Sequence, residues 1–412
     1  MARPRQRLQE RDLQTVFGTV QVTRVGYGAA STDSVHPLDA ELNLAPQRYS
    51  HELARRAAQD FDAFYAQRRV ETAPATSALL VTTMGGKGAV MRREDLREPT
   101  RKAAQRRVHK LSKRLSKGEK RNATRMATVA SVYTIAPAVR APEDIVRGLT
   151  GVGLGGHAEP PQAPRPRPEH KRVWASVEKS PEQVIEETFH EAARRDPGRE
   201  KTRVALVDGN ATQLRILHQL STRLGVALTI VLDIVHVAQY LWAAALAFHT
   251  EGSPERELWV AERLAAILRG RASVVAAALR RSATRRELTG KQREAVDKCA
   301  RYLLRYKAYL RYDEYLAAGL PVATGVIEGA CRHLVKDRMD ITGARWSLAG
   351  AEAVLRLRAL RASGDFDEYW PFHEDQEYRR NHVARYADGR VPAVEKPRRD
   401  RNQGRTHLRI AK

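Results

Sequence analysis

Three segments set far apart along the chain hold the residues that could do chemistry: LLVTTMGGKGAVMR, VALVDGN and TGVIEGACRHLVKDRMDITGARW. The second places Asp208 at the end of an apolar run, and the third places Glu328 at the start of a helical pattern. The first carries Gly85 where a third carboxylate is expected. Clustered carboxylates bind magnesium through oxygen. Two such ions about 3.5–4 Å apart can activate a nucleophile and stabilise the leaving oxygen of a phosphodiester. The chemistry indicated is metal-dependent cutting or joining of nucleic acid, with one of three acids vacated.

Each of these residues also has a plainer reading. Asp208-Gly209-Asn210 contains Asp-Gly, a common turn pair. Glu328 can serve as a dipole partner in a first helical turn. Arg332 and Lys336 follow it at four-residue spacing, either as intrahelical ion-pair partners or as cations flanking DNA. Asp233 and His236 form Asp-x-x-His after the last strand. Spacing alone favours a capped strand end with a hydrogen-bonded histidine over a metal site there.

Composition narrows the partner. The 412 residues include 72 Lys plus Arg against 48 Asp plus Glu, a formal net charge of +24. Such an excess attracts polyanions, and each nucleic-acid phosphate contacted releases counterions. Residues 92–125 hold 14 basic and 4 acidic residues, net +10, and residues 379–412 hold 11 and 3. No apolar run approaches a membrane span, the N-terminus lacks a signal-peptide core, and no membrane partner is expected. Two cysteines, Cys299 and Cys331, form no zinc or disulfide framework. A cytoplasmic setting is expected.

The elements that must position the acids follow from pattern. Residues 13–28 are expected to form a hairpin turning at Gly18. A helix is expected from Ser50 to about Arg69, with Leu53, Ala57, Phe61 and Phe64 on one side. Residues 78–83 form a strand, Gly85, Gly86 and Gly88 a turn, and AVMR its returning partner. Arg101 to Arg121 reads as a basic helix, and 127–135 as a β-branched strand. Residues 148–170 are a linker by composition. Its GVGLGG matches a dinucleotide-binding pattern in spacing, but no strand enters it and prolines follow, so no nucleotide site is expected.

A helix Ser180 to Arg195, strand 204–208, a helix ended by Gly225 and strand 227–233 come next, with the two strands parallel. Residues 253–318 are helical throughout, with Thr289 and Gln292 as a capping box. One helix there has the apolar line Val296, Cys299, Leu303, Tyr306 and Leu310. The order is that of the ribonuclease-H-like fold: an α/β mixed sheet flanked by helices, with an all-helical insertion before the final glutamate-bearing helix.

The runs GGKGAVMR, KLSKRLSKGEKRNATRMATVASVY, VALVDGN, TIVLDIVHVAQYLW and TGVIEGACRHLVKDRMDITGARW resemble the ISKra-type insertion-sequence transposases. RVGYGA and PLDAELNLAPQRYS resemble the region ahead of that family's core, and the likeness runs from about Gln14 to Arg385. It implies an Asp-Asp-Glu transposase using two Mg2+ ions, with Asp208 and Glu328 as metal-holding catalytic acids and Asp233 and His236 in support. The family pattern Asp-Gly-Lys-Gly is Gly85-Gly86-Lys87-Gly88 here, so the first acid is vacated. An N-terminal segment and a helical stretch after YSHELARR also look absent relative to the family.

The implied organisation is an N-terminal remnant at 1–75, core at 76–244, helical insertion at 245–320, closing core helices at 321–370 and a basic tail at 371–412. The expected function is DNA transposition, with cleavage and strand transfer at element ends, impaired by Gly85. The alternative is an inactive element-DNA-binding protein, regulatory or decayed. Lys87, Arg106, Arg107 and Lys110 would hold phosphates. Arg332, Lys336, Arg338 and Arg345 would contact DNA near the cut, with Trp346 stacking on a base or simply packing. The expected partners are double-stranded element ends and target DNA and a second copy of the chain, as a homodimer or higher oligomer, in a bacterial, nucleoid-associated setting. A basic RNA-associated protein ranks last, because no RNA-recognition motif is present.

Overall fold

The computed structural model describes residues 5–15, 18–28, 50–68, 78–105, 123–154, 165–340 and 344–381. Strands β1 (Arg5–Thr15) and β2 (Gly18–Gly28) pair antiparallel in a sheet of their own. The hairpin is therefore longer than the 13–28 expected. Helices α1 (Ser50–Ala57) and α2 (Phe61–Gln67) replace one continuous helix. Phe61 and Phe64 are buried, but Leu53 is 56% exposed, so the expected apolar side is broken at its first member.

β3 (Leu79–Val90) corrects the sequence reading at its most important point. The glycines do not turn. The strand runs through them and pairs with β4 (Thr124–Ile135), with Gly85 opposite Val129 and Lys87 opposite Ala127. AVMR is the end of the same strand, not its partner. Helix α3 (Glu98–Gln105) starts the basic stretch. Arg106, Arg107 and Lys110 lie outside the described residues. After α4 (Pro142–Thr150), β5 (Glu169–Ser176) forms a strand not expected from the sequence.

Helix α5 (Pro181–Arg195) has Pro181 in its first turn and a Ser180–Gln183 capping box. β6 (Thr202–Val207), α6 (Ala211–Leu224), β7 (Thr229–Leu232) and α7 (Ile234–Ala245) follow. The five-stranded order is β5-β4-β3-β6-β7. β3–β4 and β4–β5 are antiparallel, while β3–β6 and β6–β7 are parallel. Counting strands from β3, that is the 3-2-1-4-5 mixed sheet of the ribonuclease-H-like fold.

Helices α8 (Pro254–Leu268), α9 (Ala272–Arg285), α10 (Gly290–Arg305) and α11 (Tyr312–Ala317) follow the sheet. The apolar line of α10 is buried as expected. Thr289 occupies its N-cap but makes no side-chain cap bond, so that capping box does not form. α12 (Gly325–Ala330) continues into a π-wound turn, Cys331–Lys336, and a short end, Asp337–Met339. α13 (Leu348–Ser363) follows, and its Glu352 accepts from Ser176 Oγ at 3.0 Å and the Val177 amide at 2.9 Å. A second unit begins at Asp367, and α14 (Phe366–Asn381) is its described part.

Two apolar clusters hold the first unit together. One joins Val204–Val207 and β7 to α6, α7 and the helices between 254 and 317. The other joins Ala89, Val129, Val173 and Ala175 to Ile327, Leu334, Val335, Trp346 and Leu355. A buried ionic knot ties β5 to α5. Glu191, 3% exposed, meets Arg172, Arg194 and, at 2.8 Å, Arg195 Nε. Burial alone would raise the Glu191 carboxyl, but Arg172, Arg195 and Arg194 overcome it and lower it to about 2.

Glu191→Gln leaves buried guanidinium groups without their charge partner, so it should cost about 3–5 kcal/mol in urea unfolding. The depressed carboxyl contributes stability that is present above its ordinary value of 4.5 and lost as pH falls toward about 2. The variant should lack that acid limb in a stability–pH series.

Candidate active site

The parallel pairing aligns the candidate residues in a row. Thr83 lies beside Leu206, and two residues further along the same register sets Gly85 beside Asp208. Val207 lies beside Leu232, so the next residues are Asp208 and Asp233. The Asp233 amide donates to the Val207 carbonyl at 2.8 Å, which carries the ladder into that row. Aligned residues on parallel neighbours share a face. Positions 85, 208 and 233 therefore face one way, at the carboxyl edge of β6 and β7, where α/β sheets place ligands.

Asp208 follows a strand buried from Arg203 to Val207 and is itself half-buried. Its Oδ1 accepts from the Asn210 amide at 2.8 Å, so the turn reading holds too. Gly209 sits at φ 87°, a left-handed backbone that favours glycine. Asn210 then caps α6, accepting from the Thr212 amide at 2.9 Å.

Glu328 reaches the row from above. A Cβ added to Gly85 would lie 3.2 Å from both Cys331 Sγ and Ile327 Cγ1. Position 85 is thus in near contact with Ile327, the residue before Glu328, and with Cys331, three residues after it. Burial pushes the Cys331 thiol up to about 11; Lys87 pulls it down, while Asp208 and Glu328 push it further up. All three charged groups therefore act on one sulfur. Lys87, two residues beyond Gly85 on β3, shares its face.

Asp233 is fully buried and caps α7, accepting from the Val235 amide at 2.9 Å. Its other oxygen accepts from Thr324 Oγ1 and lies 3.3 Å from His236 Nδ1. The capped-end reading is therefore satisfied. The same carboxylate orients the imidazole through Nδ1, and among the described residues no hydrogen bond engages Nε2. Asp233, His236 and Glu328 each offer a ligand atom within 4.8 Å of the others. The hydrogen bond to Asp233 raises the His236 pKa above 6.5; burial opposes this, and the charges of Asp233, Asp208 and Glu328 reinforce it.

The other expected cations spread out. The π turn shifts the register after Ala330, and Arg332 lies 3.8 Å from Asp337. Lys336, Arg338 and Arg345 are exposed. Arg338 stands over the Trp346 ring at 5.0 Å. Trp346 is 5% exposed, and its backbone bonds both Val90 and Arg92 beside β3. Its packing reading holds, and base stacking is corrected: the ring lies in the core.

Sequence reasoning missed a wall of the site. A cleft of about 770 Å³ opens beside Asp208, lined by Asn210, Tyr240, Lys298, Arg301 and Arg305 among others. The three cations recur at i, i+3 and i+7 on α10, a signal visible in the sequence but overshadowed by the helix's apolar line.

No known protein-family profile matches the chain, and no curated protein matches it in sequence. Among solved structures, the Drosophila P element transposase strand transfer complex aligns over 84% of this chain and 84% of that chain. The identity is 8% and the TM-score 0.21, values that carry no argument. The fold assignment rests on strand order and direction. No helix among the described residues is long and apolar enough to cross a membrane.

A histidine raised in the folded state contributes stability that is complete below about 6.5 and lost as pH rises through the folded pKa. Asp233→Asn removes the main cause. The His236 ring titration followed by NMR should then move toward lower pH, and the stability lost as pH rises above 6.5 should shrink.

Proposed function

We propose that this protein is a transposase-type DNA-binding protein whose strand-cutting site is disabled at Gly85. The observation that carries the reading is the row 85–208–233 with Glu328 above it. Three of its four positions are acidic, and the fourth lacks a side chain. The net charge of +24 supports a polyanionic substrate, and Lys87 beside the acids is a cation for a phosphate near them.

The residues fit a divalent ion in part. Asp208 and Glu328 would supply carboxylate oxygens and His236 a nitrogen, while position 85 supplies nothing. Asp233 has both oxygens engaged by Val235, Thr324 and His236, which suits an orienting role. A bound divalent ion would supply charge stabilisation for the oxygens of a phosphodiester. The chain's own groups orient the substrate and the ion: Lys87 holds a phosphate, and Asp233, bonded to Nδ1, leaves Nε2 of His236 as the nitrogen that would ligate the ion. An oxygen-only pair of magnesium ions is poorly served by two carboxylates and an imidazole.

A pure DNA-binding role without residual chemistry is favoured by the tight fit around Gly85. Adding an aspartate there requires both Cys331 and Ile327 to yield by a few tenths of an ångström. Repair is therefore best attempted as Gly85→Asp with Cys331→Ala, which removes one of the two contacts.

Nicking of supercoiled plasmid in Mn2+ tests the reading. Removing one preorganised stabilising group typically costs about 10²–10³ in rate. The double variant should nick at least about 10²-fold faster than the wild type, and Asp208→Asn or Glu328→Gln in that background should abolish the gain. Equal rates for repaired and wild-type protein, or a gain that survives loss of Asp208, would contradict the proposal.

A further inference from the structure

We infer that the cleft between the Asp208–Asn210 turn and α10 seats an unpaired DNA strand, with its phosphates on Lys298, Arg301 and Arg305. This rests on the reading of the substrate as DNA and adds where, and in what form, the strand lies.

All three cations are exposed on one side of α10, while Val296, Cys299, Ala300 and Leu303 bury the other. Among the described residues none of the three has a carboxylate partner. The nearest acid along the helix, Asp297, is engaged by Arg293 Nε at 3.1 Å and by Arg280 Nε at 3.8 Å. Lys298 lies over the Tyr240 ring and Arg305 over the Tyr306 ring, at 5.7 and 5.4 Å, contacts that leave their charge uncompensated. Cations at this spacing form a short track for an anionic backbone. Asn210, at the N-terminus of the 14-residue α6, lines the same cleft and adds the positive end of a helix dipole.

The wall is rigid and fixed to the acid. Tyr240 stacks on Tyr302 with centroids 3.9 Å apart and planes 17° apart. Tyr306 meets Tyr302 edge-on at 4.9 Å. Tyr302 Oη donates to the Asp208 carbonyl at 3.4 Å, and Tyr306 Oη to the Gly209 carbonyl at 2.6 Å. A phosphate on α10 therefore stands at a set distance from Asp208. The cleft volume of about 770 Å³ is in the range of pockets for drug-sized groups. That is room for one or two nucleotides of a single strand. Half-buried Tyr240, stacked on Tyr302, holds Lys298 Nζ 5.7 Å from its ring centroid and so positions that cation at the cleft.

Fluorescence anisotropy over a KCl series tests this, using a labelled oligothymidine of about 12 nucleotides and a hairpin duplex of matching length. The proteins are the wild type, Lys298→Ala/Arg301→Ala/Arg305→Ala, and a charge-retaining variant, Lys298→Arg/Arg301→Lys/Arg305→Lys. Each single-strand phosphate contact contributes about 0.7 to the log–log salt slope, so the alanine variant should lose about 2 from it. The charge-retaining variant should keep the slope, and duplex affinity should change less than about threefold. An unchanged single-strand slope in the alanine variant, with wild-type binding intact, would overturn the cleft assignment and leave the DNA reading standing. Failure of the wild type to bind either DNA would overturn both. Because the three side chains are exposed, circular dichroism should be identical across the set.

Discussion

The site depends on how closely a helix can lie on a strand at one residue. Gly85 has no Cβ, and the space one would occupy is bounded by Cys331 Sγ and Ile327 Cγ1 at 3.2 Å. That contact brings the start of α12 down onto β3 and sets Glu328, between those two residues, over the row of Asp208 and Asp233. The π-wound turn that follows adds a residue to the winding, a feature common at functional sites. It lets Leu334 and Val335 bury while Arg332 and Lys336 stay exposed. The glycine that brings no side chain to the row is thus the residue that permits its tight packing.

Charge completes the arrangement. Asp208, Asp233 and Glu328 at one edge of the sheet would repel one another without compensation. Asp233 is held by an amide, a hydroxyl and an imidazole. Lys87 faces the remaining acids from the strand, and Lys298, Arg301 and Arg305 face Asp208 from the insertion. Hydrogen bonds from Tyr302 and Tyr306 to the turn carbonyls make α10 part of the site rather than a neighbour of it. The helices between the last strand and Glu328 therefore build a wall for the acid that precedes them.

Much of this was legible in the sequence, for identifiable physical reasons. Val204–Val207 is a continuous apolar run, so a buried strand ending at Asp208 was clear. Ser180, Pro181 and Gln183 announced a helix start, and Gly225 its counterpart at the end of α6. The glycines of β3 misled because a turn and a strand approached closely by a helix call for the same residue. β5 escaped because its buried half is short and follows prolines and charged residues. The cationic wall was hidden because charges on an amphipathic helix ordinarily mean only a solvated face. What they face depends on the fold, and no local pattern reports it.

The geometry at position 85 can be measured without metal, DNA or activity. A disulfide requires sulfurs about 2.05 Å apart with Cβ atoms about 3.5–4.5 Å apart, and a Cβ at 85 lies 3.2 Å from Cys331 Sγ. Mild oxidation of the Gly85→Cys variant, followed by peptide mass analysis, reads this directly. A bond between residues 85 and 331 should form, with buried Cys299 left as a thiol. Two unreacted thiols at 85 and 331 under conditions that oxidise exposed cysteine pairs would mean that the helix does not lie on the strand there, and the assembled site would fall with it.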